Sequence, residues 1–153
     1  SMFSDMLLRA STTVIAFIIL ISIIAIGIVF DMLGVAVTVA DEKPFNSMAS
    51  SKIKGAKSSL MLIKNAGRVS NVFNDVIGDI CGIISGTSAA FIVSQIGGSV
   101  EFIDAAVFSI ILSGLVAAGT IGGKAMGKDI AIGRSKEIVT IAGKIISVFT
   151  ERK

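Results

Sequence analysis

Val14-Ile15-Ala16-Phe17-Ile18-Ile19-Leu20-Ile21-Ser22-Ile23-Ile24-Ala25-Ile26-Gly27-Ile28-Val29-Phe30 carries no charge and a single hydroxyl, at Ser22. A hydrocarbon core about 30 Å thick requires roughly 20 mostly apolar residues as α-helix. With Ser11–Thr13 before it and Met32–Val39 after it, this stretch is long enough to span, and Asp31 falls near its end. A secretory signal peptide is the competing interpretation, because Val37-Thr38-Val39-Ala40 ahead of Asp41 imitates a cleavage site. The apolar run exceeds a typical signal h-region, and Arg9 is the only cation ahead of it. A membrane helix over about 12–36 is therefore expected.

The whole chain suits that setting. Of its 153 residues, 53% are hydrophobic and 16% charged, and the mean hydropathy is +0.89. A soluble globular chain carries about 25% charged residues. Disorder is excluded by the same balance, since it needs low hydrophobicity and high charge. There is no His and one Cys, Cys81, which removes zinc sites, haem ligation, disulfide frameworks and His-based acid–base chemistry. Trp and Tyr are absent, so nine Phe are the only large anchors.

Two further apolar segments follow. One covers about 69–96 and carries Asn71, Asn74, Asp75 and Asp79 in its first half. The other covers about 100–127, with Glu101 and Asp104 at its start and Lys124 near its end. Gly97-Gly98-Ser99 reads as the turn of an antiparallel hairpin between them. In the intervening 41–68 region, Pro44 suits a helix's first turn. Met48, Ile53, Ala56, Leu60 and Ile63 then fall near helical spacing among lysines, as in a helix lying on a membrane surface. The pattern returns over about 129–150, where Ile130, Ile138, Ile141, Ala142, Ile145 and Phe149 share a broad face. A fourth span there is disfavoured by Arg134, Lys136, Glu137 and Lys144. The expected fold is an all-α membrane protein. It has one transmembrane domain over 1–153, with three transmembrane helices, a cytoplasmic amphipathic loop helix and a C-terminal juxtamembrane helix.

The cations set an orientation. Lys43, Lys52, Lys54, Lys57, Lys64 and Arg68 occupy the first connection; Lys124, Lys128, Arg134, Lys136, Lys144, Arg152 and Lys153 occupy the end of the third span and the tail. The positive-inside rule makes both regions cytoplasmic and puts the N-terminus outside, in a multi-pass cell-membrane protein. Basic loops beside spans point to lipid headgroups as partner in preference to nucleic acid.

Gly78, Gly82 and Gly86, and again Gly119, Gly123 and Gly127, recur every four residues. Such stripes let helix backbones approach closely, whether within one chain, at a homodimer seam or at a hinge. Gly119-Thr120-Ile121-Gly122-Gly123-Lys124 lacks phosphate-loop spacing, so no nucleotide site is expected. Carboxylates in hydrocarbon are costly and normally face a cavity or a partner. Asp75 and Asp79 stand four apart, with Asn71 one turn earlier and Asn74 beside Gly78. Asp79 lies about 15 Å into its span, near the midplane. Oxygen donors without His or Cys suit a hard cation such as Mg²⁺.

Several stretches, in this order, resemble the transmembrane domain of the CNNM/CorC (CorB) magnesium transport family. Phe30-Asp31-Met32-Leu33-Gly34-Val35-Ala36-Val37-Thr38 stands in the place of that family's Phe-Ser-Gly-Ser-Glu-Thr-Ala-Leu. Gly55-Ala56-Lys57, Leu62-Ile63-Lys64-Asn65 and Ile77-Gly78-Asp79 run in step with its Gly-Ala-(Lys/Arg), Leu-Leu-x-Asn and Ile-Gly-Asn. Gly119 to Lys124 occupies the place of Gly-Glu-Ile-x-Pro-Lys. The resemblance covers roughly 14–150. It implies three membrane helices, an outside N-terminus and a Mg²⁺ site whose Ser, Asn and Glu positions become Asp31, Asp79 and Thr120. The family's membrane Glu is thereby lost, and its Pro becomes Gly123. Its CBS pair has no counterpart in these residues, so ATP regulation through them is not expected.

The expectation is a homodimeric transporter of a divalent cation, Mg²⁺ foremost, working by alternating access around an acidic cavity and with no enzymatic activity. Asp31 and Asp79 would be primary ligands, Asp75 would attract the ion, and Asn74 and Thr120 would complete the oxygen shell. The family suggests Na⁺ as coupling ion. The rival expectation is a non-transporting membrane assembly or regulatory protein on the same scaffold.

Overall fold

The computed structural model describes residues 2–96 and 105–150, with side chains from 11 onward and again from 106; the Gly97-Gly98-Ser99 turn lies outside them. Every regular element among the described residues is helical. The order is α1 (Met2–Val39), α2 (Glu42–Ser50), α3 (Ala56–Lys64), α4 (Ala66–Asn71), a π-helical turn (Val72–Ile77), α5 (Gly78–Ile96), α6 (Ala105–Gly133) and α7 (Ser135–Thr150).

Among the described residues, three stretches are long and apolar enough to cross a membrane: Ser11–Val39, Ala66–Ile96 and Ala106–Gly133. The third continues six residues beyond the expected end at about 127, because Lys128 and Asp129 do not interrupt helical hydrogen bonding. The chain breaks at Gly133 and Arg134, and α7 starts at Ser135 rather than at about 129. Residues 129–133 thus belong to α6.

The chain divides into two compact units. The first comprises Ser1–Gly27 and Asp79–Gly123. Its core is small: Ala16 and Leu20 of α1 meet Ile92 of α5, with Leu112 and Val116 of α6 packed against them. Gly27 lets α1 approach α5, since a β-carbon there would lie 3.1 Å from that of Cys81. The remaining side chains of this unit are largely apolar and exposed, among them Ile18, Ile21, Ile83, Ile110 and Leu115. Uncovered apolar surface on this scale marks contact with lipid or protein rather than water.

The second unit comprises Ile28–Gly78 and Lys124–Lys153. Its core joins Ala36 and Val37 of α1, Phe45 of α2, Leu62 and Ile63 of α3, Ala131 of α6, and Val139 and Ala142 of α7. One loop helix was expected between the first two spans; two short helices occur. Asp41 caps α2, its side chain accepting from the Lys43 amide, and Pro44 sits in the first turn. The helix closes in a Schellman motif: Ile53 N–H donates to Met48 O and Lys52 N–H to Ala49 O, each at 3.0 Å. Lys52 takes the left-handed conformation this closure requires, with φ of 53°. Gly55, at φ of 83°, then starts α3.

The apolar faces of α3 and α7 are partly spent on each other. Gly55 and Gly143 bring the two backbones together: a β-carbon on Gly143 would lie 2.6 Å from Gly55 O and 2.8 Å from Ser59 N, and would also strike Ser59 Oγ. At that crossing the buried Ser59 hydroxyl donates to Val139 O at 3.0 Å. The broad face expected on α7 therefore divides. Val139, Ala142, Gly143 and Ser147 are buried, whereas Ile141, Ile145 and Phe149 stay exposed.

Candidate ion site at the end of the first span

Asp31 sits inside α1, two turns before its end, and not at a helix terminus. Its carboxylate lies 3.8 Å from Lys124 Nζ of α6, and both side chains are half-buried. Lys124 reaches Asp31 across Gly78; a β-carbon on Gly78 would lie 3.6 Å from the ammonium nitrogen. Sequence reasoning counted Lys124 only as a cytoplasmic cation. The i, i+4 logic that pairs charges within one helix gives no access to a partner 93 positions away.

Three further contacts hold α1 in this register. Phe30 meets Phe73 at a ring separation of 5.3 Å, tilted by 58°. Gly34 lies against Asn74, where a β-carbon would come 3.0 Å from Asn74 Cγ. Gly127 of α6 lies against Met32. Residues 30, 31, 32 and 34 of α1 thus touch either the π turn or α6.

The π turn carries Asn74 and Asp75. Its widened hydrogen bonding, with Gly78 N–H reaching back to Phe73 O, alters the regular stacking expected of Asn71 and Asp75. Asn74 Nδ2 donates to Ser70 Oγ at 3.2 Å, while Asn74 Oδ1 is buried without a hydrogen-bond partner among the described residues. A buried carbonyl oxygen left unpaired costs on the order of 1–3 kcal/mol, and π turns occur frequently at functional sites.

The five residues expected to hold a cation divide between the two units. Asp31, Asn74 and Asp75 belong to the second, where Asp31 faces Lys124, Asn74 lies against Gly34 one turn after Asp31, and Asp75 is exposed. Asp79 and Thr120 belong to the first. Asp79 is exposed in the first turn of α5, and the Thr120 hydroxyl donates to Val116 O at 2.8 Å within its own helix. Among the described residues, no three His, Cys, Asp or Glu side chains come together as a metal-holding group.

The glycine stripes also resolve unevenly. Gly127 packs against α1, but Gly82, Gly86 and Gly119 have nothing within 4 Å of a β-carbon, so close packing among the described residues does not account for them. Gly27, Gly34, Gly55 and Gly143 make the other close approaches. Only a tertiary contact distinguishes them from their neighbours, so spacing did not reveal them.

No family model, no curated protein and no solved structure matches this chain.

Proposed function

We propose that the chain is a multi-pass cell-membrane transporter, or transporter-like protein, for a divalent cation, with Mg²⁺ the foremost candidate. The observation that carries this reading is the unpaired Asn74 Oδ1, held in a π turn against Gly34, one helical turn after Asp31 in α1. In hydrocarbon, a carboxylate and an unpaired carbonyl oxygen are both costly, and a hard cation relieves both. Lys124 holds the place of the ion when no ion is there. An arriving cation displaces the ammonium from Asp31 and takes Asn74 Oδ1 as a further oxygen; on release Lys124 returns. Alternating access then requires only that α6 shift against α1 at the Met32–Gly127 contact.

The CNNM/CorC likeness belongs to the same proposal, as do Asp75 as an additional oxygen donor, Asp79 and Thr120 as oxygen donors examined on their own, and an orientation with the N-terminus outside and the basic regions cytoplasmic against lipid headgroups. A homodimer is supported by the uncovered Gly82, Gly86 and Gly119. Gly82→Leu should then lower the oligomer mass in detergent.

A second reading, a non-transporting membrane assembly or regulatory protein, is favoured by one observation: Asp31 already has a cationic partner. Liposomes containing the purified chain alone separate the two. Mg²⁺, Mn²⁺, Ca²⁺ and Na⁺ flux is measured for the parent, Asp31→Asn and Asn74→Ala, with Asp129→Asn as control; Asp79→Asn and Thr120→Val test those positions separately. Transport requires divalent flux that falls in the first two variants and persists in the control. A parent without flux favours the assembly reading. Flux unchanged in both Asp31→Asn and Asn74→Ala removes this site.

A further inference from the structure

Val29, Met32 and Leu33 of α1 face Ile138, Ile141 and Ile145 of α7 across a groove of about 240 Å³, inside the second unit. Every side chain lining it is apolar and none is aromatic. Val29, Ile141 and Ile145 are exposed, so the groove is open along one side. The other side of α7 is committed elsewhere. Val139, Ala142, Gly143 and Ser147 are buried, and the Gly55–Gly143 approach and the Ser59–Val139 hydrogen bond hold the helix to α3. It therefore cannot roll toward α1 and close the groove with its own side chains.

Depth and charge together identify the occupant. Helix α1 is long and apolar enough to span a membrane and ends at Val39. Met32 and Leu33 stand seven and six residues earlier, about 10 Å along the axis. On the multi-pass membrane reading, on which this inference rests, that is the depth where acyl chains begin below the headgroups. Arg134 is exposed at the break between α6 and α7. Ile138 N–H donates to Arg134 O at 3.1 Å, so Arg134 stands one helical turn ahead of Ile138, on the stripe that continues through Ile141 and Ile145. On α7, Lys136 and Lys144 flank that stripe against Glu137 alone. A second copy docking through the same face would set these cations against their own kind, whereas an anionic headgroup complements them.

We propose that the groove holds one acyl chain of an anionic phospholipid whose headgroup pairs with Arg134. The guanidinium presents a fork of donors that matches a lipid phosphate. A lining without hydrogen-bonding groups suits methylenes and would cost a polar ligand its hydrogen bonds. The groove takes part of the chain, and its open side leaves the rest in the bilayer.

The chain contains no Trp or Tyr, so one introduced Trp is its sole indole fluorophore. Phe149→Trp stands one turn beyond Ile145, aromatic for aromatic and outside the lining; Ile110→Trp, exposed in the first unit, is the reference. Each full-chain reporter is reconstituted in phosphatidylcholine vesicles in which a minor share of the lipid is phosphatidylglycerol, or phosphatidylcholine, brominated on its acyl chains. Brominated phosphatidylglycerol should quench Phe149→Trp as though its local share were roughly fivefold its bulk share, the preference that one arginine gives an anionic lipid. It should quench Ile110→Trp no more than brominated phosphatidylcholine does. Arg134→Gln, at an exposed position, should remove the excess at Phe149→Trp. Val29→Phe, also at an exposed position, should remove it by placing a ring in the groove, and Lys64→Gln, outside the groove, should keep it. A missing excess overturns the proposal, as does one that survives either Arg134→Gln or Val29→Phe, or one lost equally in Lys64→Gln. A Phe149→Trp emission that neither brominated lipid quenches, beside a quenched Ile110→Trp, assigns the face to protein and also overturns it. Quenching of neither reporter overturns the membrane reading, and this inference with it.

Discussion

Lys124 Nζ and the Asp31 carboxylate lie 3.8 Å apart, each on a helix long and apolar enough to span a membrane. Each is the other's nearest compensation, so removing one strands a charge in an environment that tolerates it poorly. Asp31→Asn and Lys124→Gln should each destabilise the chain, and the double variant should cost less than their sum. The separation is long and both groups keep some exposure, so a coupling of about 1 kcal/mol is expected. The two variants should differ in ion response. Lys124→Gln frees Asp31 and should enlarge the Mg²⁺-dependent melting shift, whereas Asp31→Asn should abolish it. Equal responses in the two would mean that Lys124 does not compete with a cation.

Gly34 is glycine because Asn74 occupies the space a side chain would need. Gly34→Ala should lower stability by about 1–3 kcal/mol, the usual cost of overpacking. Asn74→Ala in the same chain should restore most of that loss, because it removes the atoms in the way. Asn74→Ala alone should be nearly neutral for stability, since the amide makes one side-chain hydrogen bond and leaves its oxygen unpaired. It should nevertheless weaken the divalent response. Melting in detergent with and without Mg²⁺ reads both effects, and a Gly34→Ala loss that Asn74→Ala fails to restore would place the strain elsewhere.

At Gly143 the obstacle is backbone as well as side chain. A β-carbon there meets Gly55 O and Ser59 N, which cannot swing away. Gly143→Ala should separate α3 from α7 at a cost of about 3 kcal/mol or more, beyond ordinary overpacking. Ser59→Ala relieves only the hydroxyl contact and gives up the hydrogen bond to Val139 O. It should therefore rescue Gly143→Ala incompletely. Limited proteolysis at the exposed lysines of α3 reports the separation directly: faster cleavage in Gly143→Ala than in parent is expected.

The three long apolar helices were legible because their signal is additive: twenty apolar residues outweigh a few polar ones, and a helix satisfies their backbone hydrogen bonds within the segment itself. The boundary at Gly133 was less so. Lys128 and Asp129 resemble an end by charge, yet charge at the interface does not break a helix. The 41–68 region misled for another reason. Met48, Ile53 and Ala56 keep helical spacing through Lys52, but that spacing is preserved by two helices joined at a Schellman closure and a left-handed glycine. Asp31 and Asn74 were visible as polar residues within long apolar stretches. Lys124 as partner, Gly34 as the surface against Asn74, and the Gly55–Gly143 crossing were not, since each depends on a contact between residues far apart in the chain.

Lys52 holds a backbone conformation that glycine prefers, at the position where a Schellman closure most often has glycine. A β-carbon in the left-handed region costs roughly 1 kcal/mol, which Lys52→Gly removes. Glycine also gives the unfolded chain more freedom, which offsets part of the gain. A net stabilisation of about 0.5 kcal/mol is therefore expected, seen as a small rise in melting temperature. Lys52→Ala is the matched control, because it removes the charge and keeps the β-carbon. If backbone strain is the only burden at this position, glycine should melt above parent and alanine should not. If repulsion between Lys52 and Lys57 dominates, both substitutions should raise the melting temperature alike, and added salt should shrink the difference from parent by screening. Lys52→Gly melting below the parent would show that the lysine side chain itself stabilises the connection between α2 and α3, contrary to the strain argument.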